Sequence, residues 1–328
     1  MAAIVKLRLT MYLTLAIIFA VAFALVAVIL SFLGAGTYAI IGVTVLFFVF
    51  QWLASPALMR LMGQLKYIKE DEYPELHRMV DSLAKSAQVP VPKIAISPRK
   101  DPNAYVFGRT RNSATLVVHQ GLLSMLTDDE MEAVLAHEIG HLKHNDTTVM
   151  MMISFLPMLM YMIAQSMFFS GMFGGGGNRN NGAVMMLIGA LAFVFYFILQ
   201  IMMLGLSRMR ESYADEYSAV TTRRPQDLAS SLLKISASNA VNPVRDDSTA
   251  AKSFYLADLH TSKEDVEEIK AHSAELKKLL PNLDIKQFID ETKREAGGPA
   301  GFMVKIFSNH PPIYRRVLAL AELNKELN

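Results

Sequence analysis

Four long apolar runs divide the chain, and charged segments separate them. They cover Met11 to Leu33, Tyr38 to Ala54, Val149 to Phe169 and Ala183 to Leu206, and none of them contains a charged residue. A helix that crosses a membrane needs about 20 such residues. The pattern therefore predicts four transmembrane helices, arranged as two hairpins.

Two other interpretations of these runs stay open. The first run contains Ala20, Ala22 and Ala24 and so resembles a cleaved signal peptide, although the apolar part of a signal peptide usually ends within about 15 residues. The third and fourth runs are also compatible with core helices of a soluble domain, but their length and lack of charge favour lipid.

Basic residues indicate how the chain is oriented. They flank the runs on one side at Lys6, Arg8, Arg60, Lys66, Arg208 and Arg210, whereas the opposite loops contain only Arg179. By the positive-inside rule both polar segments face the cytoplasm. We expect transmembrane hairpins over 1–54 and 149–206, and two halves of one cytoplasmic domain over 55–148 and 207–328.

The first polar segment changes its periodicity halfway along. The stretches "VPKIAIS", "NAYVFG" and "ATLVVHQGLL" are rich in β-branched and aromatic residues and predict a small antiparallel sheet. In "LTDDEMEAVLAHEIGHL", Thr127 stands at an N-cap and Glu130 at the capping-box position, before apolar residues at helical spacing. A helix is therefore expected to begin at this point.

Histidines on this helix predict a metal site. His137 and His141 lie one turn apart, so both can reach one zinc ion at Zn–N distances of about 2.1 Å. Glu138 is rotated about 100° from them and is placed to activate a water molecule. His144 lies about 10 Å from His137 along the axis, and its role stays open. Gly140 permits another chain segment to approach closely.

A third ligand must come from elsewhere. An extended metzincin motif would need histidine at the position of Thr147, and the chain contains no cysteine. A carboxylate on a second helix remains, and "LSRMRESYADEYSAV" offers Glu211 and Asp215 four residues apart. Glu211 can bind the metal while Asp215 orients a histidine. We expect one Zn²⁺ per chain.

Composition agrees with a membrane protein. Hydrophobic residues make up 52% of the chain, and its formal net charge is +2. We see no clustered basic stripe, so nucleic-acid binding has no support.

Several motifs in order resemble the HtpX-like membrane zinc peptidases, a gluzincin family that includes the peptidases of prenylated proteins. The motifs are the paired N-terminal spans, "NAYVFG", "EMEAVLAHEIGH", Asp146, the inserted span pair, "SRMRESYADEYSA" and "SNHPPIYRRVLAL". The resemblance implies an α+β membrane protein that is mainly helical. It would have four transmembrane helices and a cytoplasmic gluzincin-type zinc peptidase domain with a small antiparallel sheet.

The resemblance also implies roles for single residues. It places zinc on His137, His141 and Glu211, the general base at Glu138 and a supporting carboxylate at Asp215. It further implies that His310 and Arg316 lie near the site and stabilise the oxyanion, although an exposed His-Pro turn can equally begin a helix. Asn103 and Ala104 would start the strand on which a substrate adds as an extended β-strand.

The expected activity is endoproteolysis by a promoted-water mechanism. The resemblance implies protein or peptide substrates, in particular misfolded or damaged membrane proteins at the lipid bilayer. The alternative is a membrane scaffold or adaptor with a structural zinc, in which His144 would complete a shell of four ligands. A peptidase specific for prenylated C-termini would need a larger membrane chamber than we expect from four spans.

Overall fold

The structure is a computed structural model that describes residues 37–153, 155–173, 179–241, 263–281 and 311–327, with isolated positions elsewhere. The chain divides into two compact units. One contains Met1–Ser55 and Met150–Leu206, and the other contains Pro56–Val149 and Ser207–Asn328. The predicted span from Met11 to Leu33 lies largely outside the described residues.

The described part of the chain is mostly helical, with a small mixed sheet. Its elements, in chain order, are α1 (Thr37–Gly63), β1 (Lys66–Tyr67), α2 (Pro74–Ala87), β2 (Lys93–Ser97), β3 (Ala104–Phe107), a 3₁₀ turn (Arg111–Ser113), β4 (Thr115–His119), α3 (Gln120–Met125), α4 (Asp128–Lys143), α5 (Asp146–Ile153), α6 (Phe155–Phe173), α7 (Arg179–Thr222), α8 (Pro225–Val241), α9 (Lys263–Ala271), α10 (Ser273–Leu279) and α11 (Ile313–Leu327).

The sheet has the strand order β1-β2-β4-β3. The pairs β1–β2 and β3–β4 are antiparallel, but β2 and β4 run parallel, with Lys93 opposite Thr115 and Ser97 opposite His119. The prediction of an antiparallel sheet is therefore wrong for the central pair. The chain passes β2, forms the hairpin of β3 and β4, and inserts β4 between β2 and β3, so β4 must run in the same direction as β2.

Helix α4 lies at the centre of the second unit. It packs against α2, β3 and α8, and α8 packs in turn against α11. The amphipathic helix α2 buries Leu76, Val80, Leu83 and Ala87, which recur every three or four residues. A helix enclosed on several sides has little contact with water, so any charged group on it needs partners from its neighbours.

In the first unit, α6 and α7 approach each other through glycines. A Cβ atom added to Gly189 would lie 2.6 Å from the backbone nitrogen of Phe168, and one added to Gly171 would lie 2.5 Å from the carbonyl oxygen of Gly182. Small residues allow two helices to come this close, as is common between helices in membranes.

One helix within the described ranges is long and apolar enough to cross a membrane, the part of α7 from Gly182 to Thr222. Only 22% of its most apolar 18-residue stretch is buried within the protein. This low burial argues against a soluble core helix, in which that stretch would be enclosed. The predicted span from Ala183 to Leu206 lies within it, whereas the other three spans stay predictions.

Candidate metal centre

Helix α4 begins where the sequence predicts. The side chain of Thr127 accepts a hydrogen bond from the amide of Glu130, and the Glu130 carboxylate accepts one from the amide of Thr127 at 3.0 Å. At the other end, the Arg111 guanidinium donates to the carbonyl oxygens of Leu142 and Lys143. The capping-box prediction is confirmed, and side chains satisfy backbone groups at both ends of α4.

Helix α7 runs close beside α4 at the histidines. A Cβ atom on Gly140 would lie 3.0 Å from Cδ1 of Tyr217, so the glycine leaves room for α7. Nearby, the Ser218 hydroxyl donates to the Ala133 carbonyl oxygen at 2.6 Å, and both groups are buried. This contact brings Glu211 within reach of the histidine pair.

Donor atoms of three residues converge between these helices. The Nε2 atoms of His137 and His141 are 3.2 Å apart. The Glu211 carboxylate lies 3.6 Å from the first of them through Oε2 and 3.5 Å from the second through Oε1. All three residues are buried.

The spacing of these atoms fits a metal ion. Ligands placed tetrahedrally at about 2.1 Å from a zinc ion lie about 3.4 Å from one another. The observed separations bracket that value: 3.2 Å between the two Nε2 atoms, and 3.6 and 3.5 Å from them to Oε2 and Oε1 of Glu211. Two imidazoles and one carboxylate are also a common zinc donor set, so the residues present fit the ion.

Each histidine is fixed from behind by an aspartate. Nδ1 of His137 lies 3.0 Å from Oδ1 of Asp215, and Nδ1 of His141 lies 2.9 Å from Oδ2 of Asp146. When Nδ1 carries the proton and donates it to a carboxylate, Nε2 keeps its lone pair for a metal. Asp146 belongs to the site although the sequence pattern assigns it no role.

The carboxylates make the centre favourable for a cation. Burial on its own lowers the pKa of His137, but the carboxylates of Asp215 and Glu211 beside it outweigh that effect and hold the pKa above its ordinary value. Burial likewise opposes protonation of His141, yet its carboxylate partners raise its pKa to about 10. A metal ion at this place would compete with the protons that the carboxylates favour on these imidazoles.

Two buried arginines balance the aspartates. Arg316 on α11 donates through Nε to Asp215 at 2.8 Å and through a terminal nitrogen at 2.6 Å, in bidentate geometry. Its other terminal nitrogen lies 3.5 Å from Oε2 of Glu211. Arg210 lies 3.3 Å from Asp146. Arg210 is thus buried at this centre, although the sequence suggests a cation that flanks a membrane span.

Glu138 is buried beside the metal donors. Its carboxylate accepts a hydrogen bond from the amide of Val106 on β3 and experiences the charges of both histidines. Burial is the main cause that raises its pKa above the ordinary value. A carboxylate with a raised pKa that can still ionise is suited to take up and release a proton.

Strand β3 lies at the edge of the sheet and contacts α4. The Asn103 carbonyl accepts a hydrogen bond from His119 at 2.9 Å, so Asn103 points its backbone at β4. Because bonding alternates along an antiparallel strand, the backbone groups of Ala104 and Val106 point away from β4. Of the two residues predicted to start the substrate strand, Asn103 therefore directs its backbone groups towards β4 and Ala104 directs them away from it.

The remaining predicted residues do not join the three donors. His144 forms the C-cap of α4, with its ring 6.4 Å from those of Tyr213 and Tyr217, and it is not part of the three-residue donor group. His310 lies outside the described residues. Arg316 directs its nitrogens at Asp215 and Glu211, so its role towards an oxyanion stays a prediction.

A buried set of two histidines and a glutamate, with a second glutamate beside it, defines the class of metal-dependent peptidases. Within that class, the chain belongs to Peptidase family M48, whose profile matches residues 70–324.

Similar proteins agree with this assignment. A "Protease HtpX homolog" of Methanothermobacter thermautotrophicus is 39% identical over 233 residues, which cover 70% of this chain and 86% of the relative. The "Protease HtpX homolog" of Aeropyrum pernix is 30% identical over 281 residues, or 83% and 82% of the two chains. The crystal structure of S. mikatae Ste24p superposes with a TM-score of 0.54 and 22% identity, covering 96% of this chain and 67% of that one, which shows a shared fold.

Proposed function

We propose that the protein is a membrane-embedded, zinc-dependent endopeptidase that hydrolyses peptide bonds of misfolded or damaged membrane proteins. The observation that carries the proposal is the convergence of His137, His141 and Glu211 at separations of 3.2 to 3.6 Å, with Glu138 buried beside them. Membership of Peptidase family M48 supports the reaction class, and the donor set supports zinc.

In this proposal His137, His141 and Glu211 hold one zinc ion. When bound, zinc acts as a Lewis acid that acidifies water and polarises the scissile carbonyl. Glu138 takes a proton from the attacking water and returns it to the leaving amine. The Val106 amide supports this role, because its hydrogen bond holds the Glu138 carboxylate in one orientation. His310 and Arg316 stay candidates for stabilising the oxyanion.

The substrate is proposed to bind as an extended strand along β3. Because the backbone groups of Ala104 point away from β4, they are directed to pair with a peptide. Asn103 is engaged with β4 through its carbonyl and contributes by holding the strand in place. Hydrogen bonds to the backbone of a substrate do not depend on the identity of its side chains. This mode of binding therefore suits an enzyme that cleaves many unfolded segments.

We further propose that residues 1–54 and 149–206 form membrane hairpins, and that 55–148 and 207–328 form the cytoplasmic catalytic part. The apolar stretch of α7 supports the membrane assignment, and Arg60, Lys66 and Arg208 support the orientation. Glu211 lies on α7 only five residues after Leu206, so one helix carries both apolar stretch and ligand. Membrane proteins and their exposed loops are therefore the proposed substrates.

The test compares the native chain with Glu138→Gln, both purified in detergent. Glutamine has the same shape and can still accept the hydrogen bond from Val106, but it cannot take up a proton. We expect cleavage of unfolded casein to fall by about 10²-fold or more while one zinc ion per chain is retained. Glu216→Gln, an exposed position on α7, is the matched control and should cleave normally.

Two results would count against the proposal. Equal cleavage by the native chain and Glu138→Gln would mean that Glu138 is not the base. A native chain that binds one zinc ion but cleaves no unfolded protein would favour the scaffold or adaptor instead.

A further inference from the structure

The second histidine is held by a residue that follows a reversal of the chain. Helix α4 ends at Lys143, and Asn145 adopts a left-handed conformation with φ of 61°. This turn brings Asp146, the first residue of α5, back towards His141, whose Nδ1 it meets at 2.9 Å. The carboxylate that holds His141 therefore comes from the turn directly after the helix that carries this histidine.

Asp146 is itself buried, with 2% of its surface exposed. A buried carboxylate needs a cationic or hydrogen-bonding partner, because it loses its hydration. Besides His141, its partner is Arg210, which is 8% exposed and whose Nε lies 3.3 Å from Oδ2 of Asp146. Arg210 thus supplies a positive charge at the same oxygen, Oδ2, that meets Nδ1 of His141.

Arg210 immediately precedes Glu211 on α7. Neighbouring side chains on a helix diverge by about 100°, so the two residues can serve different parts of one site. Glu211 reaches the Nε2 atoms of the histidines, while Arg210 reaches the carboxylate behind His141. One turn of α7 therefore contributes both to the donor set and to the support of a donor.

We infer that Asp146 and Arg210 are a positioning pair for His141: Asp146 orients the imidazole, and Arg210 holds Asp146. This inference rests on the proposed zinc site. It assigns the two residues no contact with substrate, because Asp146 meets the histidine at Nδ1 and not at the metal-facing Nε2 atom, and Arg210 acts through Asp146.

The pair differs from its counterpart behind His137. Arg316 binds Asp215 through two parallel hydrogen bonds, whereas Arg210 makes a single ion pair with Asp146. A bidentate contact requires the planar guanidinium, but a single contact can be made by a point charge. Lysine should therefore replace Arg210 far better than it replaces Arg316.

The experiment measures the zinc dissociation constant of the full chain in detergent, by competition with a chelator of known affinity. We expect Asp146→Asn to weaken zinc binding by about 10- to 100-fold, as loss of a residue that orients a ligand does elsewhere. Arg210→Gln should weaken it by about tenfold, whereas Arg210→Lys should restore most of the affinity. The double variant should bind no more weakly than Asp146→Asn, because Arg210 acts through Asp146.

Matched controls are Asp128→Asn, at an exposed position in the first turn of α4, and Arg223→Gln, at the exposed position that follows α7. Zinc affinity unchanged in Asp146→Asn and Arg210→Gln would overturn the inference, as would additive losses in the double variant. If Arg210→Gln does not fold, the zinc affinities of Arg210→Lys and Arg316→Lys are compared instead. Equal losses in these two variants would overturn the inference. A native chain that binds no zinc would instead contradict the proposed function. This outcome can be distinguished from unchanged affinity in the single variants and from additive losses in the double variant.

Discussion

The two parts of α7 differ in the side chains that they expose and bury. Before Leu206, large apolar residues are exposed, such as Leu187 at 70% and Ile201 at 58%. After Ser207, charged residues are buried, including Glu211 at 5% and Asp215 at 4%. These residues reverse the usual distribution between surface and interior, in which apolar groups are enclosed and charges are solvated.

The reversal has a different physical cause in each part. Exposed apolar side chains are stable where the surroundings are lipid, whereas buried charges are stable only where other charges or hydrogen bonds compensate them. The exposed apolar side chains before Leu206 are therefore stabilised by surrounding lipid, whereas the buried charges after Ser207 are stabilised by other groups of the metal centre. This difference can be tested on either side.

The largest expected effect comes from removing the charge opposite Asp215. Arg316→Met leaves that buried carboxylate without its bidentate partner, and we expect the free energy of unfolding to fall by about 3–5 kcal/mol. Thermal and denaturant unfolding in detergent measure it. Arg315→Met, at the exposed neighbouring position, is the control and should be close to native. Equal stability of the two variants would mean that the buried charges after Ser207 do not depend on their partners.

The next effect tests the apolar part. Val194 is 54% exposed, and a lysine near the centre of a membrane helix costs about 2.5–3.5 kcal/mol on insertion. Val194→Lys should therefore reduce the membrane-bound fraction of a segment that carries residues 179–222 as its single candidate span, measured after extraction with alkaline carbonate. Val220→Lys, at a valine of the charged part that is 50% exposed, should leave it unchanged. If both variants are retained in membranes as well as the native sequence, α7 is not inserted in lipid.

A smaller effect depends on pH. Burial alone raises the pKa of Asp101, but the hydrogen bond and charge of His119 and of Arg99 outweigh it and lower this pKa to about 2. A lowered pKa contributes stability above the ordinary value of 3.8, and that contribution is lost as the pH falls towards 2.

Asp101→Asn should therefore lower the stability at pH 7 by about 1–2 kcal/mol, a figure reduced for partial exposure to solvent. The difference from the native chain should shrink as the pH falls from 5 to about 2. Thermal midpoints across this range measure it, with Asp71→Asn, at an exposed position, as control. A difference that does not change with pH would show that the Asp101 charge is not what stabilises this region.

The smallest effect concerns the start of the histidine helix. Thr127→Ala removes the side-chain cap of α4 and should cost about 1 kcal/mol. Thr127→Ser keeps the hydroxyl and should retain most of the stability. The thermal midpoint checks both, and equal losses in the two variants would show that the threonine methyl group matters more than the cap.

Local spacing along the sequence predicts much of the metal centre. His137 and His141 lie one helical turn apart, and so do Glu211 and Asp215, so each pair is visible as a pattern of period 3.6. The cap at Thr127 is visible for the same reason. The structure brings these two patterns together, which the sequence suggests only through the chemical need for a third ligand.

The supports of the centre have no such pattern. Asp146 lies five residues after His141 and reaches it only because Asn145 turns the chain, and neither residue follows a helical period. Arg210 looks like a cation at the end of a membrane span until its partner is known. The parallel pairing of β2 with β4 was missed for a similar reason, since alternation identifies strands but not their neighbours.

The capped ends of α4 also constrain how this region can change in length. Thr127 and Glu130 fix where the helix starts, and Arg111 fixes its last carbonyl groups. Deleting one residue between Met131 and Ala136 would turn both histidines by about 100° relative to the cap at Thr127. Substitutions can accumulate along this helix, but insertions and deletions cannot, so a chimaeric protein should exchange α4 as one whole segment together with Arg111.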